Sequence, residues 1–396
     1  MIMSTSAEQL GVSRLGDRDR PLTNYVIEGD AKTKALDVYH LIFAPTFACN
    51  LRCRQCYLPN HGTHLFPREM AHQLLDDWAK IVSAERGPFG GIFHLKGGEP
   101  FVVSYFGALL ERIARQQLTL MITTNGTVHS KKSLEAIAAC NQSLGQHVVI
   151  NVSLDGATEE THGLLRGPGT FQKTLAFIRR LVAIDLTVHV NSVIHKRNVH
   201  EITQLISLAL SENVAQLNLL PFVPKGYGSD LWDWGVDPLD LCEAIDRLYS
   251  SGTDAVRRVL SGCYAHILER ELHGTATSNE CVGGYRGLFY VVPNGDVFSC
   301  PNLVDSHLLI GNLHKNTLEE LHRETHARVY SRSIGCGGCS NRYVCKGEAL
   351  LHGPDLLAHE RRARLVRLQQ RLLSISVDER VQNLSEGRSY CFSRNL

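Results

Sequence analysis

Between Val38 and Phe222, six short runs rich in β-branched residues alternate with longer stretches of helical period. The runs are Val38–Pro45, Ile92–Lys96, Leu118–Thr123, His147–Leu154, Leu186–Val193 and Ala215–Phe222. Between them lie segments such as Arg68–Ala84, Tyr105–Gln116, Lys131–Ala139, Phe171–Ile184 and Val199–Leu210. Strand and helix can alternate this way only through crossover connections, so neighbouring strands run parallel. The pattern predicts an α/β fold, a partial (β/α)6 TIM-like barrel, with an open doubly wound sheet as the alternative. Both would place chemistry at the C-terminal ends of the strands.

The flanking sequence has a different style. Residues 1–37 read as a polar arm, 38–225 as the barrel core and 226–275 as a connecting segment containing Leu231-Trp232-Asp233-Trp234. Residues 276–396 read as a small Cys-rich α+β domain. It would hold a hairpin around Asn294-Gly295 and a helix from His359 to Ser376 with Leu365, Leu368, Leu372 and Ile375 on one face. Lys plus Arg total 41 against 40 for Asp plus Glu. The near-neutral balance lacks the basic excess expected of a nucleic-acid or acidic-membrane binder. No apolar run approaches membrane-spanning length, and the first twenty residues lack the apolar core of a secretory signal, so a cytoplasmic protein is expected. In that compartment 12 cysteines point to metal rather than disulfides.

Cys49, Cys53 and Cys56 follow the first strand as C-x3-C-x2-C. Three thiolates can converge on one centre and leave a coordination position open. A structural zinc site completed by His61 or His64 is the alternative. The next strand ends carry Gly97-Gly98-Glu99-Pro100, then Asn125, then Ser153 and Asp155 with Arg166 beyond, then Asn191. Singly, the glycines read as a turn, Asp155 as a helix cap and Arg166 as a solvated charge in a Gly-Pro-Gly loop. Together on one rim with the triad, they read as a site.

The segment Cys49-Asn50-Leu51-Arg52-Cys53-Arg54-Gln55-Cys56-Tyr57 resembles the signature of the radical S-adenosylmethionine (radical SAM) superfamily, and Gly97-Gly98-Glu99-Pro100 resembles its methionine-binding motif. The resemblance covers roughly residues 38–225. It implies a [4Fe-4S] cluster held by Cys49, Cys53 and Cys56, and S-adenosylmethionine as the source of a 5′-deoxyadenosyl radical. By position, Glu99 and the Gly97-Gly98 backbone would meet the cofactor's ammonium, Ser153 and Asp155 the ribose, and Arg166 the carboxylate. Tyr57 would lie beside the adenine, with Asn125 and Asn191 on the same rim.

A second set, Cys281, Cys300, Cys336, Cys339, Cys345 and Cys391, resembles the auxiliary-cluster extension called SPASM. One position departs from that pattern: Ala349 stands where it has a cysteine. The resemblance implies one complete auxiliary iron–sulfur cluster, on Cys336, Cys339, Cys345 and Cys391. The other would keep Cys281 and Cys300, with Cys263 or His352 as substitutes for the missing ligand, an open site, or no cluster at all. Zinc is the alternative for Cys336, Cys339 and Cys345. Cys140 and Cys242 read as small buried residues.

The expected activity is hydrogen abstraction from a ribosomally made peptide or protein, giving a crosslink or cyclisation. Electrons would come from a flavodoxin or ferredoxin, with no nucleic-acid or membrane partner. The alternatives are radical modification of a small molecule such as an aminoglycoside or nucleoside intermediate, and a zinc-stapled binding protein without catalysis.

Overall fold

The structure, a computed structural model, describes residues 39–222, 224–261, 287–298, 301, 304 and 309–331. Six strands appear where the periodicity places them: β1 (His40–Phe43), β2 (Ile92–Leu95), β3 (Thr119–Thr124), β4 (Val148–Ser153), β5 (Thr187–Ile194) and β6 (Gln216–Pro221). Each pairs in parallel with the next. Their spatial order is their chain order, with none of the strand-order reversal that defines a doubly wound sheet. The sheet is that of a partial barrel.

The helices are α1 (Arg68–Glu85), α2 (Phe106–Ile113), α3 (Lys131–Ser143), α4 (Glu159–Arg166), α5 (Phe171–Ala183), α6 (Ile202–Ser211) and α7 (Pro238–Ser251). Alternate strand residues such as Phe43, Phe93, Leu120, Ile150 and Val190 join Trp78, Leu109, Phe177 and Leu205 of the helices in one continuous core. Each such side chain contributes about 1.5–3 kcal/mol by leaving water. Trp78, fully buried, also donates its indole N–H to the Ile92 carbonyl.

Two features differ from the sequence reading. Arg166 is not in a loop but closes the short helix α4, whose N-terminus is capped by the Thr158 hydroxyl. Gly167, with φ of 99°, ends that helix. The predicted hairpin forms as β7 (Leu288–Val291) and β8 (Asp296–Phe298), but it extends the barrel sheet. β7 pairs in parallel with β1, and a short β9 (Gly311–Asn312) follows β8. The helix Leu318–Ser331 packs on α1, with Leu318 and Leu321 in the main core and His322 bonded to Glu85 at 2.9 Å. The arm 1–37, the His359–Ser376 helix and all six SPASM-pattern cysteines lie outside the described residues, as do Cys263, Ala349 and His352. No helix among the described residues is long and apolar enough to cross a membrane.

Candidate active site

A cavity of about 220 Å³ opens at the C-terminal strand ends. Cys49, Cys53 and Cys56 line it together with Tyr57, Gly97, Gly98, Asn125, Ser153, Arg166 and Asn191. Residues scattered over more than 140 positions of sequence therefore meet at one mouth, as the strand-end argument requires. Glu99 and Asp155 do not line it. Both are fully buried behind it.

The cysteine loop is fixed from several sides. Gly98 N–H donates to Thr46 O and Glu99 N–H to Ala48 O, each at 2.9 Å, zipping the β2 end to the chain just before Cys49. The approach is so close that a Cβ on Gly98 would lie 2.0 Å from the Ala48 oxygen. At Gly97, with φ of 121°, it would lie 2.5 Å from the Thr46 oxygen. Only glycine satisfies both positions. On the other side Arg54 N–H donates to Leu165 O, and Tyr227 N–H donates to Cys56 O, both at 2.8 Å. The Arg54 guanidinium also stacks 5.0 Å from the Trp234 ring centroid, with Arg197 at the same distance.

Glu99 works from behind the wall. Its carboxylate accepts from Thr124 Oγ1 at 2.8 Å, Asn125 N–H at 2.9 Å and Phe101 N–H at 3.2 Å, tying the β2 end to the β3 end. Burial pushes its pKa up to about 7, against the pull of these donors. Asn125, oriented by that bond, sets its side-chain N–H2 2.9 Å from Asn50 Oδ1 and 3.7 Å from Cys49 Sγ.

Asp155 is the hub of the opposite wall. It accepts from Arg166 Nε at 2.5 Å, Gln55 Nε2 at 2.6 Å and Val193 N–H at 2.8 Å. The helix-cap reading of Asp155 is therefore superseded, because Thr158 holds that role. Arg166 reaches on to 4.0 Å from Cys53 Sγ. Burial opposes its charge, but Asp155 and the Cys53 thiol more than offset this and raise its pKa.

The three thiols are themselves raised by burial, Cys53 to about 11, with Arg166 pulling the other way. Such thiols ionise on meeting a metal, which supplies the missing positive charge. The donor set fits an iron–sulfur cluster: three soft sulfurs in one cavity, with a cationic neighbour for the anionic assembly. For the zinc alternative, a single ion needs its ligands gathered within about 2.3 Å of one point. Among the described residues no three His, Cys, Asp or Glu side chains are gathered in that way. His61 lines the cavity but is stacked on Tyr227, 4.5 Å between centroids.

Several participants were not singled out from sequence. Gln55 sits inside the triad and is held by Asp155. Lys96 lines the cavity with Nζ 4.8 Å over the Tyr57 ring. Gln55 and Lys96 had a signal, lying within and directly before the two motifs, whereas Tyr227 and Trp234 had none. Two strand histidines pair with other protein groups inside the barrel: His40 bonds His94 at 3.1 Å, and His94 bonds Thr123 at 2.8 Å. Burial lowers the His40 pKa to about 3 and puts that of His94 well below its ordinary value. Cys140 is buried on α3 and Cys242 half-buried on α7.

Residues 43–209 match the radical SAM superfamily. Over 329 residues the chain is 28% identical to the mycofactocin maturase MftC of Mycobacterium tuberculosis, covering 78% of this chain and 80% of the relative. It is also 28% identical to the AdoMet-dependent heme synthase of Methanosarcina barkeri, covering 76% and 88%. Among solved structures, Streptococcus suis SuiB bound to its precursor peptide SuiA superposes with a TM-score of 0.57. The identity is 18%, over 77% of this chain and 70% of that one, a likeness of fold.

Proposed function

We propose that this radical SAM enzyme is a peptide maturase that abstracts hydrogen from a ribosomally made peptide or protein and leaves a crosslink or ring. The observation that carries this reading is the convergence of Cys49, Cys53 and Cys56 with the Gly97-Gly98 strap, Ser153, Arg166 and Asn191 on one cavity. The similarity to a mycofactocin maturase supports it. The family implies a [4Fe-4S] cluster and S-adenosylmethionine, which together supply a 5′-deoxyadenosyl radical when bound.

In this reading Cys49, Cys53 and Cys56 ligate three irons. The Gly97-Gly98 backbone accepts the cofactor's ammonium at the place where no side chain fits. Ser153 and Asn191 face the nucleoside end, and Tyr57, steadied by Lys96, forms a wall of the cavity. Asp155 and Glu99 act through others: Asp155 holds Arg166 and Gln55 in place, and Glu99 holds Asn125. The apolar walls from Val193, Leu220 and Phe222 keep water from the reacting carbon, as radical chemistry requires. Electrons come from a flavodoxin or ferredoxin. Cys336, Cys339, Cys345 and Cys391 hold an auxiliary iron–sulfur cluster, and Cys281 and Cys300 belong to a second site that Ala349 leaves short of a ligand. The enzyme works in the cytoplasm.

The test is a precursor peptide encoded beside the gene, incubated with the anaerobically loaded enzyme, a reductant and S-adenosylmethionine. The expected product is lighter by two hydrogens on mass spectrometry. The similarity to a heme synthase favours a second reading, in which the substrate is a small molecule. An unchanged peptide alongside continued release of 5′-deoxyadenosine would turn the assignment to that reading.

A further inference from the structure

A chain of side-chain amides climbs the inside of the barrel toward the cavity. β5 and β6 pair with His189 opposite Gln216 and Asn191 opposite Asn218, so these side chains stack along one face. Gln216 Nε2 donates to Asn218 Oδ1 at 2.8 Å, and Asn218 Nδ2 donates to Asn191 Oδ1 at 2.7 Å. All three residues are more than nine-tenths buried. The donors therefore run one way, toward the mouth. Asn191 lines the cavity, as does Ser153, its register partner on β4. With its oxygen taken by Asn218, Asn191 keeps its N–H2 for the cavity, and that group has no protein partner among the described residues.

An asparagine amide has nearly the same shape either way round, so only its hydrogen-bond partners decide which end faces outward. A buried amide donor left unmatched on a cavity wall marks where a ligand acceptor belongs. We propose that Asn218 and Gln216 are positioning residues that fix the orientation of the Asn191 amide, so that it donates to an oxygen or ring nitrogen of the nucleoside half of S-adenosylmethionine. The proposal rests on the radical SAM reading of the cavity and adds to it a device reaching one layer deeper into the barrel.

Replacing one atom group tests it. In Asn218→Asp the carboxylate can only accept, so it keeps the Gln216 bond and turns Asn191 round to donate to it. The Asn191 oxygen then faces the ligand. When the new acid is protonated it donates to Asn191 Oδ1 and the native orientation returns, and burial brings that protonation toward neutral pH. In Asn218→Leu the donor is absent at every pH.

Other titratable groups share this interior. His189 is buried and its pKa lowered to about 4, and His40 and His94 are held neutral. Lys96, Arg166 and the three cysteines line the mouth, with Glu99 and Asp155 buried behind it. All are common to wild type and variants, so the ratio of affinities at each pH isolates position 218.

The measurement is equilibrium dialysis of S-adenosylmethionine against cluster-loaded protein across pH, with thermal unfolding to confirm that each variant is folded. Asn218→Leu is expected to bind about ten-fold more weakly throughout, the cost of one lost ligand hydrogen bond. Asn218→Asp is expected to match the wild type in acid and to weaken by at least that factor as pH rises. Both variants binding like the wild type at every pH would overturn the proposal. So would an equal loss in both at every pH, the mark of altered packing alone. A folded, cluster-loaded wild type that binds no S-adenosylmethionine would instead overturn the cofactor reading beneath it.

Discussion

Removing the charge of Asp155 while keeping its shape isolates what that carboxylate does. Asp155 is fully buried and takes three donors: Arg166 Nε at 2.5 Å, Gln55 Nε2 at 2.6 Å and Val193 N–H at 2.8 Å. In Asp155→Asn one end of the side chain becomes a donor, so either Val193 N–H, alone at Oδ1, or Arg166 and Gln55, which share Oδ2, lose their acceptor. The mostly buried Arg166 also loses its counter-charge. Orphaning one member of a buried ion pair costs about 3–5 kcal/mol. For a chain of this size that corresponds to a drop in Tm of about 4–6 °C.

Arg166→Met strands the other member of the pair, leaving the fully buried Asp155 with two donors and no counter-charge, so its cost falls in the same range. In the Arg166→Met background, Asp155→Asn no longer strands a cation, and its cost should fall to about 1 kcal/mol. The assay is urea unfolding of the four metal-free proteins followed by circular dichroism. An Asp155→Asn variant within 1 kcal/mol of wild type, or costs that simply add in the double variant, would refute the hub argument.

Gly98→Ala should be among the most damaging small substitutions on the rim, since the new methyl meets the Ala48 oxygen at 2.0 Å. A loss of at least about 3 kcal/mol in unfolding free energy and no measurable S-adenosylmethionine binding are expected. Glu99 carries a pH signature. Its folded-state pKa is raised from 4.5 to about 7, so the stability from holding its proton is full below about pH 4.5 and is lost as pH rises through 7. That displacement is worth about 3 kcal/mol. Glu99→Gln should flatten the fall in stability between those pH values, and an unchanged pH–stability curve would count against the raised pKa. Cys140→Ser, in contrast, should leave iron and sulfide content at wild-type levels while costing about 1–2 kcal/mol, because Cys140 sits in the core away from the cavity. Loss of iron would show that this thiol had been misassigned.

The barrel was legible because its signal is periodic. Each of the six strands was bounded within a few residues, since a strand buried on both faces reads as a compact β-branched run. The helix α4 escaped because it is eight residues long, contains Gly163, and runs into Gly167-Pro168-Gly169, which reads as a loop. The triad and the Gly97-Gly98 strap could be read as motifs because close backbone approach and soft ligation allow few residue types. Asp155 and Glu99 were found by position yet misplaced in depth: the sequence marks a carboxylate at a strand end but not whether it faces the cavity or braces the wall. The union of β7 with β1 joins residues some 250 positions apart, and no local propensity records it. The same is true of Tyr227 and Trp234, which looked like part of a linker and instead clamp the cysteine loop.

The central claim is that Cys49, Cys53 and Cys56 hold a cluster that opens S-adenosylmethionine. The direct measurement is 5′-deoxyadenosine release by anaerobically purified protein given a reductant, for the wild type and Cys53→Ala side by side, with iron and sulfide assayed in each. A brown wild type that releases 5′-deoxyadenosine and a variant that releases none are expected. A colourless wild type containing zinc alone, or a Cys53→Ala variant that still cleaves the cofactor, would contradict the claim.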